Sequence, residues 1–249
     1  MGELFTALAY VVGGVVFYYA SRSERARPLV GDHQAAGGKG QALSLRSPEL
    51  LIVLWALVGA AIGAKLTQLV AQGWPITISP AAALDPATGG RSLLGGMIGG
   101  WISVELAKRY YGIKRPMGDA FAFALAAGEA VGRIGCYFNG CCYGKVCDLP
   151  WAVEQHGALR HPSQIYSAIT AALIFFVLLA YRSNRSYQVG SIFKLYLVLF
   201  AASRFLIEFT REQTGLIAGL SVMQWFCLEI LVALGIGYAI RQRRLREAM

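Results

Sequence analysis

GRIGCYFNGCCYG, residues 132–144, closes one of the chain's apolar segments with a cation, a run of glycines and three cysteines. A guanidinium such as Arg133 at the end of a hydrocarbon-length segment is costly unless it meets a partner, a water-filled cavity or a bound anion. Gly132, Gly135, Gly140 and Gly144 let another backbone or a ligand approach closely. The stretch therefore reads as the end of a membrane helix opening into a polar site.

The rest of the chain fits that reading. Hydrophobic residues make up 56% of the sequence and charged residues 15%, with a mean hydropathy of +0.49. An average soluble domain carries roughly 25% charged residues. Seven apolar blocks can be placed, at about 4–20, 50–72, 92–108, 117–135, 164–181, 189–209 and 217–240, and a spanning helix needs about 20 residues. The expected fold is all-α, a polytopic membrane protein of about seven transmembrane helices. Residues 1–249 read as a single domain without internal repeats.

The net charge of +9 is distributed by topology. Arg22, Arg25, Arg27, Lys39 and Arg46 follow the first block, and Lys108, Arg109, Lys114 and Arg115 follow the third. Arg182 and Arg185 follow the fifth; Arg241, Arg243, Arg244 and Arg246 follow the seventh. Basic alternate loops are the positive-inside pattern, placing the N-terminus outside and Met249 in the cytoplasm. Contact with anionic lipid headgroups accounts for the surplus charge, and no nucleic-acid partner is expected. The first block has arginines after it and no basic region before it, so it reads as an uncleaved anchor. The loop Ser23 to Ser47 is expected in the cytoplasm, and the proline-containing loop 73–91 at the outer interface. The third block holds small-xxx-small pairs, Gly95/Gly99 and Gly96/Gly100, which suit either tight helix packing or close approach to a lipid headgroup.

Two acid–arginine pairs stand out. Glu129 and Arg133 share a helix face at i, i+4, and Glu208 and Arg211 at i, i+3. By the expected topology both lie at outer ends of spans. Either they neutralise each other within the bundle, or they form one cationic pocket for a phospholipid headgroup, which arginine's planar fork suits. Glu105, Lys108, Lys194 and Arg204 read as interfacial or structural charges. Lys65 has a stem long enough to reach either a partner or the pocket.

The stretch at 132–144, the segment Arg160-His-Pro-Ser-Gln-Ile-Tyr166, the segment Glu208-Phe-Thr-Arg211 and Ser221-Val-Met-Gln224 occur in the order of motifs in a known family. Together they resemble the bacterial prolipoprotein diacylglyceryl transferases. In that family's GRxGNFxNGExxG signature the matching positions are Gly132, Arg133, Gly135, Asn139, Gly140 and Gly144. The resemblance implies transfer of diacylglyceryl from phosphatidylglycerol to the lipobox cysteine thiol of a prolipoprotein, in the bacterial cytoplasmic (inner) membrane. It implies a multi-pass enzyme needing neither cofactor nor metal. The resemblance makes Arg133, Arg211, His161 and Glu208 the expected catalytic residues. Gly95, Gly96, Glu129, Asn139, Gly140, Gly144, Ser163, Gln164, Tyr166 and Gln224 are the expected substrate-binding residues.

The chain departs from the family pattern at four places. Leu94 stands in SLLGG where the family typically carries a histidine, a favoured base. Cys136 replaces an asparagine, Cys141 a glutamate and Ser167 an acid. An apolar leucine moves no proton, so His161, Glu129 or Glu208 must serve as base, or the acceptor has changed. The alternative is a non-catalytic lipid-binding or transport protein on the same fold. Cys136, Cys141, Cys142 and Cys147 leave three readings open: a disulfide in an oxidising compartment, inert packing, or reactive or metal-binding thiols, although the spacing lacks C-x2-C. Cys227 reads as a small core residue.

Overall fold

The computed structural model describes residues 2–25, 48–71, 93–112, 118–183, 189–212 and 217–247. Of the loop read as Ser23 to Ser47, Ser23 to Arg25 belong to the first helix; the remainder, the loop 73–91 and Met249 lie outside the described residues. Seven helices are described: α1 (Gly2–Arg25), α2 (Pro48–Ala71), α3 (Leu93–Tyr110), α4 (Gly118–Phe138), α5 (Ser163–Ser183), α6 (Ser191–Glu208) and α7 (Val222–Glu247). Among the described residues, Gly118–Phe138, Ser163–Ser183 and Val222–Arg244 are long and apolar enough to cross a membrane. Large apolar side chains such as Phe176, Val232 and Ile236 lie on the outside of the bundle, as hydrocarbon-facing positions do.

The expected all-α class needs one amendment. Between α4 and α5 the chain forms an antiparallel hairpin, β1 (Val153–Gln155) and β2 (Ala158–Arg160), with Val153 opposite Arg160. Its two connecting residues, His156 and Gly157, both have positive φ, 54° and 73°, the backbone of a type I′ turn whose twist matches the strands.

The contacts divide the chain into two compact units, residues 27–115 and residues 1–26 with 116–249. In the first, α2 lies on α3 through glycines. A Cβ on Gly63 would overlap the Gly95 carbonyl and come within 2.9 Å of the Gly99 Cα, and one on Gly99 would overlap the Gly59 carbonyl. Gly96 sits 3.5 Å from Ala60 and Ala64 by the same measure. The small-xxx-small pairs thus serve backbone-to-backbone packing, which dispersion rather than hydrophobic burial must stabilise in lipid.

In the second unit α4 is central, packing on α1, α5 and α6. Small residues again set the α1–α4 spacing: Gly128 faces the Ala9 carbonyl at 3.2 Å and Gly13 the Ala124 carbonyl at 3.3 Å from ideal Cβ positions. Phe17 on Phe121 and Phe5 on Phe138 close the seam, with ring centroids 4.5 and 5.2 Å apart. At the other end of α4, buried Asp119 accepts hydrogen bonds from the Gly190 N–H at 2.7 Å and the Phe193 N–H at 2.9 Å. It thereby satisfies amides at the start of α6, which the helix itself leaves without acceptors. Asp119→Ala strands both donors, at about 1–3 kcal/mol each. The thermal midpoint of the detergent-solubilised protein should fall by at least about 4 °C; an unchanged midpoint would mean that this clamp does not hold α6.

Candidate functional site: an arginine cluster under a locked turn

The site lies where α4 and α6 end and α5 begins, within the second unit. Three chain segments are stitched together by backbone. The Lys145 N–H donates to the Thr210 carbonyl at 2.9 Å, the His161 N–H to the Lys145 carbonyl at 3.0 Å, and the Glu212 N–H to the Tyr143 carbonyl at 3.3 Å. Gly144 pairs with Arg211 and Val146 with Arg160 as isolated bridges. At the crossing, a Cβ on Gly144 would overlap the His161 carbonyl and lie 2.6 Å from the His161 Cβ and 2.8 Å from the Thr210 carbonyl. Only glycine fits between these strands. Arg160 ties the outside of the junction. It donates to the Gly144 carbonyl at 3.2 Å, pairs with Glu212 at 2.7 Å and stacks 4.8 Å over Tyr143.

The turn after α4 is held from α5. Ser163 Oγ donates to the Cys142 carbonyl and Gln164 Nε2 to the Cys141 carbonyl, both at 2.8 Å. His156 Nε2 meets the Gly140 carbonyl at 2.7 Å. Gly140 and Cys142 both have positive φ, 62° and 60°. For a cysteine that conformation is unfavourable and persists only where the surroundings impose it. Ser163 and Gln164, expected to bind substrate, are thus engaged in shaping the turn, although Gln164 Oε1 is buried without a hydrogen-bond partner. Asn139 is exposed at the end of α4. Tyr166 accepts from Trp151 Nε1 at 2.7 Å, and its hydroxyl lies 3.5 Å from His161 Nδ1, at the outer limit of a hydrogen bond.

Beneath the turn the charges gather. Arg133 donates to Glu129 Oε1 from Nη2 at 3.0 Å and from Nε at 3.2 Å. Glu208 Oε2 takes Arg204 Nη2 at 2.9 Å and Arg211 Nη1 at 3.3 Å. Arg133 and Arg211 both act electrostatically on Arg204, so the three guanidinium groups form one cluster. Three cations against two carboxylates leave a positive excess. Arg204 Nε, Arg204 Nη1 and Arg211 Nε are buried with no hydrogen-bond partner among the described residues, a costly arrangement for charged donors. A small pocket beside the cluster is lined by Glu129, Ser167, Thr170, Ser203, Arg204 and apolar side chains including Phe200.

Sequence reading placed Arg204 among structural charges and missed its part here. The signal was available: Arg204, Glu208 and Arg211 follow each other at i, i+4 and i, i+3. Gln224 has both amide atoms engaged inside the protein. Its Oε1 accepts from the Ser221 N–H at 2.9 Å, its Nε2 donates to the Phe205 carbonyl at 3.3 Å, and its own N–H donates to Ser221 Oγ at 3.2 Å. This is a capping box opening α7, and Ser221 Oγ reaches on to Glu208 Oε1 at 3.4 Å. Gly95 and Gly96 belong to the other unit, in its helix seam.

All five cysteines are free thiols, so the disulfide, one of the three readings left open, is not formed. Cys142 is lowered to about 5, first by a hydrogen bond from Cys136 and then, against its burial, by Arg211 and Arg133. Burial instead pushes the Cys141 thiol up. In the reduced, metal-free protein the rate of Cys142 alkylation should level off by about pH 6, whereas a free thiol titrates near about 8.5. Peptide mass mapping across pH 4–9 measures this, with Cys141 as internal reference. A Cys142 midpoint near 8–9 contradicts the assignment.

Fold and site define the class: a mostly helical, multi-pass membrane protein with a buried arginine–carboxylate cluster at the ends of its central helices. The family described as prolipoprotein diacylglyceryl transferase matches residues 5–241, and the chain belongs to that family. It is accordingly a transferase. Among its relatives is the phosphatidylglycerol–prolipoprotein diacylglyceryl transferase of Geobacter sulfurreducens, 31% identical over 85% of this chain and 80% of its own length. Those of Bordetella avium and Methylobacillus flagellatus are each 31% identical, over 87% and 91% of this chain and 85% and 87% of their own lengths.

Proposed function

We propose that this chain transfers diacylglyceryl from phosphatidylglycerol to the lipobox cysteine thiol of a prolipoprotein, at the outer face of the bacterial cytoplasmic membrane. The observation that carries the reading is the set of partnerless, buried guanidinium nitrogens on Arg204 and Arg211. Donors of this kind, in a positive and buried cluster, suit a lipid phosphate. The acceptor sulfur attacks the glycerol carbon that carries the phosphate oxygen. A sulfur–carbon bond forms, the carbon–oxygen bond breaks, and glycerol phosphate leaves with the electron pair. Negative charge grows on that phosphate in the transition state, and fixed cations in a low-dielectric site stabilise it there. Thr170, Ser203 and the apolar pocket wall lie beside the cluster, where the glycerol backbone and acyl chains of the lipid would pass.

The thiol proton needs an acceptor. His161 is the candidate: half-buried, beside Gly144 and next to Tyr166. A topology of seven spans, N-terminus outside and C-terminus in the cytoplasm, puts this junction at the outer face where exported prolipoproteins arrive.

Leu94, at the position of the family histidine, supports the second reading, a protein that binds phospholipid without transferring it. Purified protein incubated with labelled phosphatidylglycerol and a lipobox peptide separates the two. Labelled diacylglyceryl peptide is the expected product, and His161→Ala should slow its formation while leaving lipid binding intact. Lipid consumed without peptide product means another acceptor. Binding with no turnover at all gives the lipid-binding reading.

A further inference from the structure

Cys136, Cys141 and Cys142 present their sulfur atoms within 4.8 Å of one another. A family transferase has no evident use for three thiols at this point, and two of the three stand where the chain departs from the family motif. We propose that they form a three-thiolate site for one thiophilic metal ion, such as Cu(I), Zn(II) or Cd(II).

The geometry is close to what such an ion demands. With metal–sulfur bonds of about 2.3 Å, three thiolates around one ion sit about 4 Å apart, so the sulfurs need to draw together by less than an ångström. The ligands are held for this by their surroundings. Cys136 is on the last turn of α4, and Cys141 and Cys142 are on the turn whose two carbonyls are gripped by Gln164 and Ser163. A preformed loop lowers the ordering cost that a flexible site would carry. Cys141 is exposed while its two partners are half-buried, giving an ion an entry path to a partly shielded site.

Charge also favours the arrangement. Three thiolates around a singly or doubly charged ion leave a net negative complex, and Arg133 and Arg211 both act on Cys142. Soft sulfur ligands select closed-shell thiophilic ions over Mg(II) or Ca(II). Of the neighbouring donors, His156 Nε2 is on the Gly140 carbonyl, and Cys147 lies outside the triad.

The test needs no transferase assay, so it stands apart from the function proposed above. Full-length protein in detergent is reduced, freed of reductant without air, and titrated with Cd(II) while the ultraviolet thiolate-to-cadmium charge-transfer band is followed. One equivalent per chain is expected, with X-ray absorption reporting three sulfur neighbours. C136S, C141S and C142S should each weaken binding at least tenfold, and C147S and C227S should leave it unchanged. Circular dichroism and melting confirm that each variant is folded, and exposed Cys141 is the position least exposed to a packing penalty. Absence of the band, its persistence in C141S, or its equal loss in C147S overturns the proposal. So does finding two of the three thiols joined as a disulfide that the reductant does not open.

Discussion

Arg211→Ala should reduce diacylglyceryl transfer at least tenfold to a hundredfold while the protein stays folded in the membrane, and Arg133→Ala should do the same. One charge-assisted contact is worth about 1.5–3 kcal/mol, and each 1.36 kcal/mol is tenfold in rate. The loss should fall mainly on kcat if the contact tightens as charge moves onto the leaving phosphate. Arg211 is the sharper case, because its Nη1 is shared with Glu208 while its Nε is free for an anion. Arg133 is spent more fully on Glu129. Removing it uncovers a half-buried carboxylate as well as removing a cation, so Glu129→Gln with Arg133→Ala is the informative double variant. Lysine at 133 and 211 should not restore transfer, since a point charge does not reproduce a planar fork. Full activity of both lysine variants would exclude bidentate phosphate recognition. Loss of either alanine variant from the membrane would instead make the pairs purely structural.

Gly144→Ala should abolish transfer outright. The added methyl meets two carbonyl oxygens and the His161 Cβ at once, and both carbonyls belong to backbone already hydrogen-bonded across the junction. Neither strand can yield without displacing the other, so the cost should exceed the usual 1–3 kcal/mol of overpacking. Three consequences should appear together: a lower melting point, loss of the Arg160–Glu212 latch and displacement of Arg211 from its bridge to Gly144. Measured transfer and thermal midpoint both check this. Gly157→Ala, at a positive φ but with open space around its Cβ, is the control; it should lower stability slightly and spare transfer. Equal activity of Gly144→Ala and the parent would mean that the junction tolerates separation.

The local pattern of the chain carried much of this. Apolar blocks of spanning length, separated by turns and basic loops, determined where helices run, because in lipid a backbone must satisfy its own amides. Spacing at i, i+3 and i, i+4 determined that Glu129 meets Arg133 and Glu208 meets Arg211. Order of motifs determined the family. What periodicity does not encode is which groups from distant segments converge. Arg204, read as an interfacial or structural charge, stands at i, i+4 from Glu208, but only the packing of α6 on α4 brings it beside Arg133. Gln224 and Gln164, read as ligand contacts, also hold a helix start and a turn, which spacing does not show because an amide's partners depend on the segment packed against it. The Val153–Arg160 hairpin escaped notice because three-residue strands carry almost no alternation to read. Nor does a C-x4-C-C spacing foretell three sulfurs within 4.8 Å. The end of α4 and the carbonyl clamps from α5 brought them together, and proximity of that kind is a property of the packed chain.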